Sequence, residues 1–136
     1  MAPIRVLVVE DFAPFRRFIC STLQKMPNLQ VICEVSDGQE AVQKAGELKP
    51  DLILLDIGLP TLNGIAAARQ IHALTPEAKI IFVSQESSAD VVQEALSTGA
   101  LAYVVKTTAN GSLLAAVEAV LEGRQFLAGL QPGGLL

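Results

Sequence analysis

The chain has 136 residues, 51% of them hydrophobic and only 4% aromatic, so its apolar content rests on Val, Ile, Leu and Ala; this suits one α/β domain with a sizeable core and argues against disorder. Its formal net charge is −4 and its longest basic run is the pair Arg16-Arg17, so nothing neutralises a series of phosphates and the chain alone is not expected to bind nucleic acid. No apolar run approaches the roughly 20 residues of a membrane span and no signal-peptide pattern precedes the first strand, which points to a cytoplasmic protein with no membrane partner.

The run Ile4-Arg-Val-Leu-Val-Val9 reads as a buried parallel strand that ends at two acids, Glu10 and Asp11. Pro14 to Met26 follows with Phe15, Phe18, Ile19 and Leu23 at helical spacing, Pro14 standing in the opening turn where its missing N–H costs nothing. Leu29 to Val35 is a second strand. Asp37, with Glu40 three residues on, opens a helix to about Leu48 that Lys49-Pro50 closes. Leu52-Ile-Leu-Leu55 is a third, wholly apolar strand; it delivers Asp56 to its carboxyl end, and a turn with Gly58 and Pro60 comes at once.

Gly64 to Leu74 repeats the helical pattern through Ile65, Ala68, Ile71 and His72; with no partner in sequence, His72 is expected on the helix surface or in packing rather than in catalysis. Lys79 to Val83 is a fourth strand ending at Ser84, Ser88 to Thr98 a helix that Gly99 stops, and Leu101 to Val105 a fifth strand ending at Lys106. Asn110 is expected to cap a last helix whose stripe is Leu113, Val117, Val120 and Leu121 and whose stop is Gly123. Beyond it, residues 124–136 show no period and two turn signals, so they read as a linker stub or an appended tail after a domain over 1–123. Cys20 and Cys33 form no CxxC pair and have no nearby His, so both are expected to be buried reduced thiols.

Five strands alternating with five helices give a doubly wound parallel sheet, and such sheets put their chemistry at the carboxyl ends of the strands. Glu10, Asp11, Asp56, Ser84 and Lys106 all stand there. Three acids in one cleft need a cation, and oxygen ligands without His or Cys suit magnesium better than zinc. Each side chain has a use if a phosphoryl group is transferred to a carboxylate: Asp56 as nucleophile, the acids as a Mg²⁺ seat, Ser84 and Lys106 as partners of the phosphoryl oxygens. Singly, such residues are commoner as helix caps, turn residues or solvated lysines. Their joint placement at the ends of alternate units outweighs that reading.

The set Val-Val-Glu10-Asp11, Leu-Leu-Asp56-Ile-Gly-Leu-Pro60-Thr-Leu-Asn-Gly64, Val83-Ser84, Gly99-Ala100 and Tyr103-Val-Val-Lys106 resembles the receiver domain of bacterial two-component response regulators, from Ile4 to about Gly123. Its wording looks most like receivers of the nitrate-regulator type, which precede a helix-turn-helix output domain; no such module is encoded after Gly123. The resemblance implies a flavodoxin-like sheet in the order 2-1-3-4-5. It also implies that Asp56 takes a phosphoryl group from a sensor histidine kinase, and that Asp11, Asp56 and the Gly58 carbonyl hold Mg²⁺, with Glu10 acting through water. Ser84 and Tyr103 would be the switch residues, Tyr103 turning inward on phosphorylation to change a surface read by an output domain, a downstream protein or a second copy. On this reading the chain is no enzyme in its own right but takes part in its own phosphorylation and dephosphorylation.

Three positions depart from the family pattern. Thr107 follows the lysine where many receivers have proline, Gln85 follows Ser84 where a small residue is common and narrows the entrance, and Gly58 offers no side chain to shield the acyl phosphate. Two rivals fare worse: a haloacid-dehalogenase-type phosphatase wants Asp-x-Asp, where this chain has Asp56-Ile57-Gly58, and a flavodoxin-like cofactor binder wants a Ser/Thr/Gly phosphate loop, where it has Phe12-Ala-Pro-Phe15. A degenerate receiver that only binds is disfavoured because every acid and the lysine are present.

Overall fold

The computed structural model describes residues 2–130. Within them, β1 (Ile4–Val9), α1 (Ala13–Leu23), β2 (Leu29–Val35), α2 (Gly38–Leu48), β3 (Leu52–Leu55), α3 (Gly64–Leu74), β4 (Lys79–Ser84), α4 (Ala89–Leu96), β5 (Ala102–Val105), α5 (Ala109–Leu121) and β6 (Phe126–Ala128) follow in order, with a turn of 3-10 helix at Lys106–Thr108. All strand pairs are parallel and the sheet order is 2-1-3-4-5-6. This is the flavodoxin-like fold expected from the sequence, with one strand more.

The strands read as continuous apolar runs because both sheet faces are covered. Alternate residues divide between two cores. Leu7, Val9, Ile53, Leu55, Phe82 and Tyr103 meet α2, α3 and α4 through Ala41, Ala45, Ala68, Ile71, Val92 and Ala95. Val6, Val8, Leu52, Leu54, Ile81 and Val104 meet α1 and α5 through Ile19, Leu23, Leu113, Val117 and Val120. The two cysteines lie half-buried on opposite faces, Cys33 against the first core and Cys20 against the second, and both are free.

The helix starts follow their caps: Asp37 accepts the Glu40 N–H at 2.7 Å and Asn63 the Ala66 N–H at 3.0 Å. His72 is exposed on α3, and Gly99 and Gly123 follow their helices with φ of +102° and +80°. Two expectations need correction. Asn110 is not a cap: the chain already turns at Lys106–Thr108, and Thr108, whose hydroxyl donates to the Val105 carbonyl at 2.9 Å, precedes α5. Nor is the segment after Gly123 wholly without structure, since β6 pairs with β5 in the register Ala102–Phe126, Tyr103–Leu127 and Val104–Ala128. Three residues are too few to show a period, and their apolar side chains earn order only against an edge already formed. Residues 131–136, the rest of the expected tail, lie outside the described residues.

Candidate functional site

Because β1, β3, β4 and β5 are adjacent and parallel, their carboxyl ends bring Glu10, Asp56, Ser84 and Lys106 to one sheet edge. They meet in a cleft of about 320 Å³ lined by Asp11, Phe12, Asp56, Gly58, Ser84, Gln85, Glu86 and Lys106. Glu10 lies beneath it with no exposed surface, Asp56 and Ser84 are nearly as buried, and Asp11 is exposed. Gln85 is exposed and lines the cleft, and Gly58 leaves its own side open.

Lys106 is the electrostatic centre. Its Nζ lies 3.1 Å from Asp56 Oδ2, 3.0 Å from Glu10 Oε1 and 3.1 Å from Glu10 Oε2, and 4.7 Å from the centre of the Phe15 ring. Burial alone would lower the lysine's pKa, but hydrogen bonding to Glu10 and the charge of Asp56 outweigh it and raise the value. For Glu10 the balance runs the other way: desolvation dominates and pushes its carboxyl up, despite the hydrogen bonds from Lys106 and the Phe12 N–H. Asp56 Oδ1 accepts the Ile57 N–H at 2.7 Å, which fixes the carboxylate's orientation. Arg16 braces the end of β1 by donating to the Glu10 carbonyl at 2.8 Å. The Lys106–Thr107 peptide, whose geometry the sequence leaves open, is trans.

The acids fit a hard divalent cation. One oxygen each of Glu10, Asp11 and Asp56 lies within 4.8 Å of the others, and Glu10 Oε1, though close to the ammonium, is buried with no hydrogen bond of its own. All three donors are carboxylate oxygens, the set that suits magnesium.

Tyr103 does not line the cleft. Its ring is already inside the core, 6.1 Å from that of Phe82, and its hydroxyl donates to the Glu86 carbonyl at 2.8 Å. Tyr103 thus holds the inward position in this structure, with Leu127 of β6 as its register partner and the Glu86 carbonyl satisfying its phenol. Ser84 Oγ, in turn, accepts the Glu86 N–H at 3.2 Å.

Several residues at the site escaped the sequence reading. Phe15 appeared only as part of a core stripe, and Arg16 only as half of a basic pair. Gly64 read as a helix start, yet a Cβ there would overlap the Asp56 carbonyl oxygen and crowd Ile57, so only glycine lets α3 begin directly over the turn that follows Asp56. The Asn63-Gly64 pair after a strand-end acid was the available signal.

A flavodoxin-like sheet whose strand ends hold an acid cluster against a half-buried lysine defines a class of small α/β signalling domains. The comparisons are specific within that class. The family described as response regulator receiver domain matches residues 6–118, and the chain belongs to it, placing it in two-component phosphorelay signalling. It is 35% identical over 133 residues, 98% of its length, to the transcriptional regulatory protein LiaR of Bacillus subtilis, spanning 63% of that protein. It is 47% identical over 103 residues, 75% of its length, to a protein-glutamate methylesterase/protein-glutamine glutaminase of Colwellia psychrerythraea, spanning only 27% of it. Among solved structures, a two-component response regulator of the LuxR family from Aurantimonas sp. superposes with a TM-score of 0.86 at 29% identity, covering 92% of this chain and 89% of that one. The chain thus spans less than two thirds of these curated relatives. No helix among the described residues is long and apolar enough to cross a membrane.

Proposed function

We propose that Asp56 is the phosphoacceptor of this receiver and that Glu10, Asp11, Asp56 and the Gly58 carbonyl seat the Mg²⁺ it needs, Glu10 through water. The observation that carries this reading is the buried Asp56 carboxylate held 3.1 Å from the Lys106 ammonium at the floor of an open cleft. A carboxylate oxygen of Asp56 forms the new O–P bond while the N–P bond of a kinase phosphohistidine breaks, and the imidazole leaves with the bonding pair. Magnesium, when bound, neutralises phosphoryl oxygens. Lys106 follows its charge from Asp56 to the phosphoryl group, and Ser84, whose Oγ accepts the Glu86 N–H and lies within hydrogen-bond reach of the Tyr103 hydroxyl, turns its own proton to a phosphoryl oxygen. The receiver supplies these groups to its own phosphorylation and dephosphorylation and is no free-standing enzyme.

The partners on this reading are a sensor histidine kinase and an output domain or downstream protein, with self-association on phosphorylation, and the receiver itself acts in the cytoplasm. The relative named a transcriptional regulator supports control of transcription as the output, and the methylesterase relative supports an effector enzyme as the second reading. The acting unit runs from β1 through β6, past the Gly123 boundary read from the sequence. The test is intact-mass measurement after acetyl phosphate with and without Mg²⁺. A single phosphate, dependent on Mg²⁺ and lost in Asp56→Ala, is expected; a stable acyl phosphate in Asp56→Ala overturns the assignment.

A further inference from the structure

The sixth strand is placed where it can sense the switch. Leu127 is the register partner of Tyr103, and the two side chains share one sheet face, Leu127 packing on the core that contains Tyr103. The Phe126 N–H donates to the Leu101 carbonyl at 3.1 Å, starting the pairing. At the other end Gly129 turns with φ of +84°, and a Cβ there would stand 2.7 Å from Val105 Cβ and 3.0 Å from two side-chain atoms of Thr108, in the turn that follows Lys106. The end of the strand is therefore seated on Val105 and Thr108, either side of Lys106, with no room to spare. Without β6, β5 would be the edge of the sheet, and a Tyr103 ring rotated outward would lie across that edge, in the space Leu127 fills.

We propose that docking of β6 on β5 selects the inward Tyr103, and through the Tyr103–Glu86–Ser84 hydrogen bonds selects the cleft that accepts a phosphoryl group, so that the C-terminal strand is held more tightly in the phosphorylated receiver. This rests on the switch roles given above to Ser84 and Tyr103. Coupling between two sites is reciprocal, so a change that loosens β6 must weaken phosphoryl binding by the factor by which phosphoryl binding tightens β6.

Tyr103 is the sole tyrosine and the chain has no tryptophan, so its intrinsic fluorescence reports this one ring. The test uses the full chain and the variants Gly129→Ala and Leu127→Ala, the latter removing only a half-buried side chain, with Gly111→Ala as a control where a Cβ meets nothing within 4 Å. Acrylamide quenching reads Tyr103, hydrogen exchange reads the Phe126–Ala128 amides, and titration with beryllofluoride and Mg²⁺ reads the phosphoryl site. Expected are faster exchange and stronger quenching in both variants, beryllofluoride affinity lowered by about fivefold or more, slower exchange of β6 when the parent binds beryllofluoride, and no change in Gly111→Ala. Faster exchange with unchanged Tyr103 quenching would overturn the contact. Stronger quenching with unchanged beryllofluoride affinity would overturn the coupling and leave the acceptor assignment standing. A parent that binds no beryllofluoride would remove the acceptor assignment, and the coupling with it, whatever the quenching shows.

Discussion

Replacing Lys106 with methionine keeps the length and apolar stem of the side chain and deletes its charge, leaving Glu10 and Asp56 facing each other without a cation. Both acids are more than nine-tenths buried, so the pair is not a screened surface contact. Glu10, whose carboxyl burial already pushes up, need not stay ionised, however: it takes up a proton, which limits the loss. Between the ordinary carboxyl value of 4.5 and pH 7 lie roughly 2.5 pH units, each worth about 1.36 kcal/mol, so the loss is capped at about 3.4 kcal/mol. The sign follows. A carboxyl whose folded pKa is raised costs stability above its unfolded value, and the cost fades as pH falls toward that value. At pH 5 the same cap is therefore about 0.7 kcal/mol. Urea denaturation followed by circular dichroism at both pH values should show Lys106→Met weaker than the parent by about 2–3 kcal/mol at pH 7 and by less than about 1 kcal/mol at pH 5, with Mg²⁺ restoring part of the loss at pH 7. Equal losses at the two pH values would refute the electrostatic argument and make the lysine a packing residue.

Gly58→Asn should lengthen the life of the acyl phosphate by about fivefold, or about 1 kcal/mol of barrier, because the new side chain enters open space beside Asp56 and meets no atom where its Cβ would stand; an unchanged hydrolysis rate would remove the shielding argument. Gly64→Ala should destabilise by about 3 kcal/mol and slow phosphorylation, since α3 must back away from the Asp56 carbonyl; parent-like thermal unfolding would refute it. Burial, with Glu34 beside it, pushes the Cys20 thiol up to about 11 from an ordinary 9.0. Between those values the unfolded chain has lost a proton that the folded one keeps, so stability falls as pH rises through that window. Cys20→Ala should flatten the fall, and thiolate absorbance at 240 nm should report the late titration.

How much of this was legible depended on whether the signal was local. β3 announced itself because four apolar residues ended at an acid and a turn, and α2 because its cap lies three residues from the N–H it accepts. The site's members could be read because parallel strands carry their last residues to one edge. What could not be read were approaches set by tertiary packing: the Phe15 ring under Lys106, which spans 91 positions of sequence by their residue numbers, and α3 starting against the Asp56 carbonyl. β6 was missed for the same reason, since it exists only as a partner of β5. Asn110 was misassigned because a good capping residue type was taken as sufficient, whereas the turn at Lys106–Thr108 had already set where α5 begins.

The candidate site and Tyr103 are joined by one short loop, tied at Glu86 by two hydrogen bonds of unequal strength. Glu86 is held to β4 by its N–H on Ser84 Oγ at 3.2 Å and to β5 by its carbonyl under the Tyr103 hydroxyl at 2.8 Å. Glu86 is an exposed residue and its N–H bond to Ser84 is part-buried, so loss of that bond costs less than stripping a fully buried group. The Tyr103 hydroxyl belongs to a side chain with no exposed surface, and stripping its acceptor costs about 1–3 kcal/mol. Under the role proposed for Ser84, a turn of its hydroxyl to a phosphoryl oxygen would break the weaker bond to β4 first. On that proposal the loop would then hang on its bond to Tyr103, and its position would follow β5 and the β6 strand paired with it.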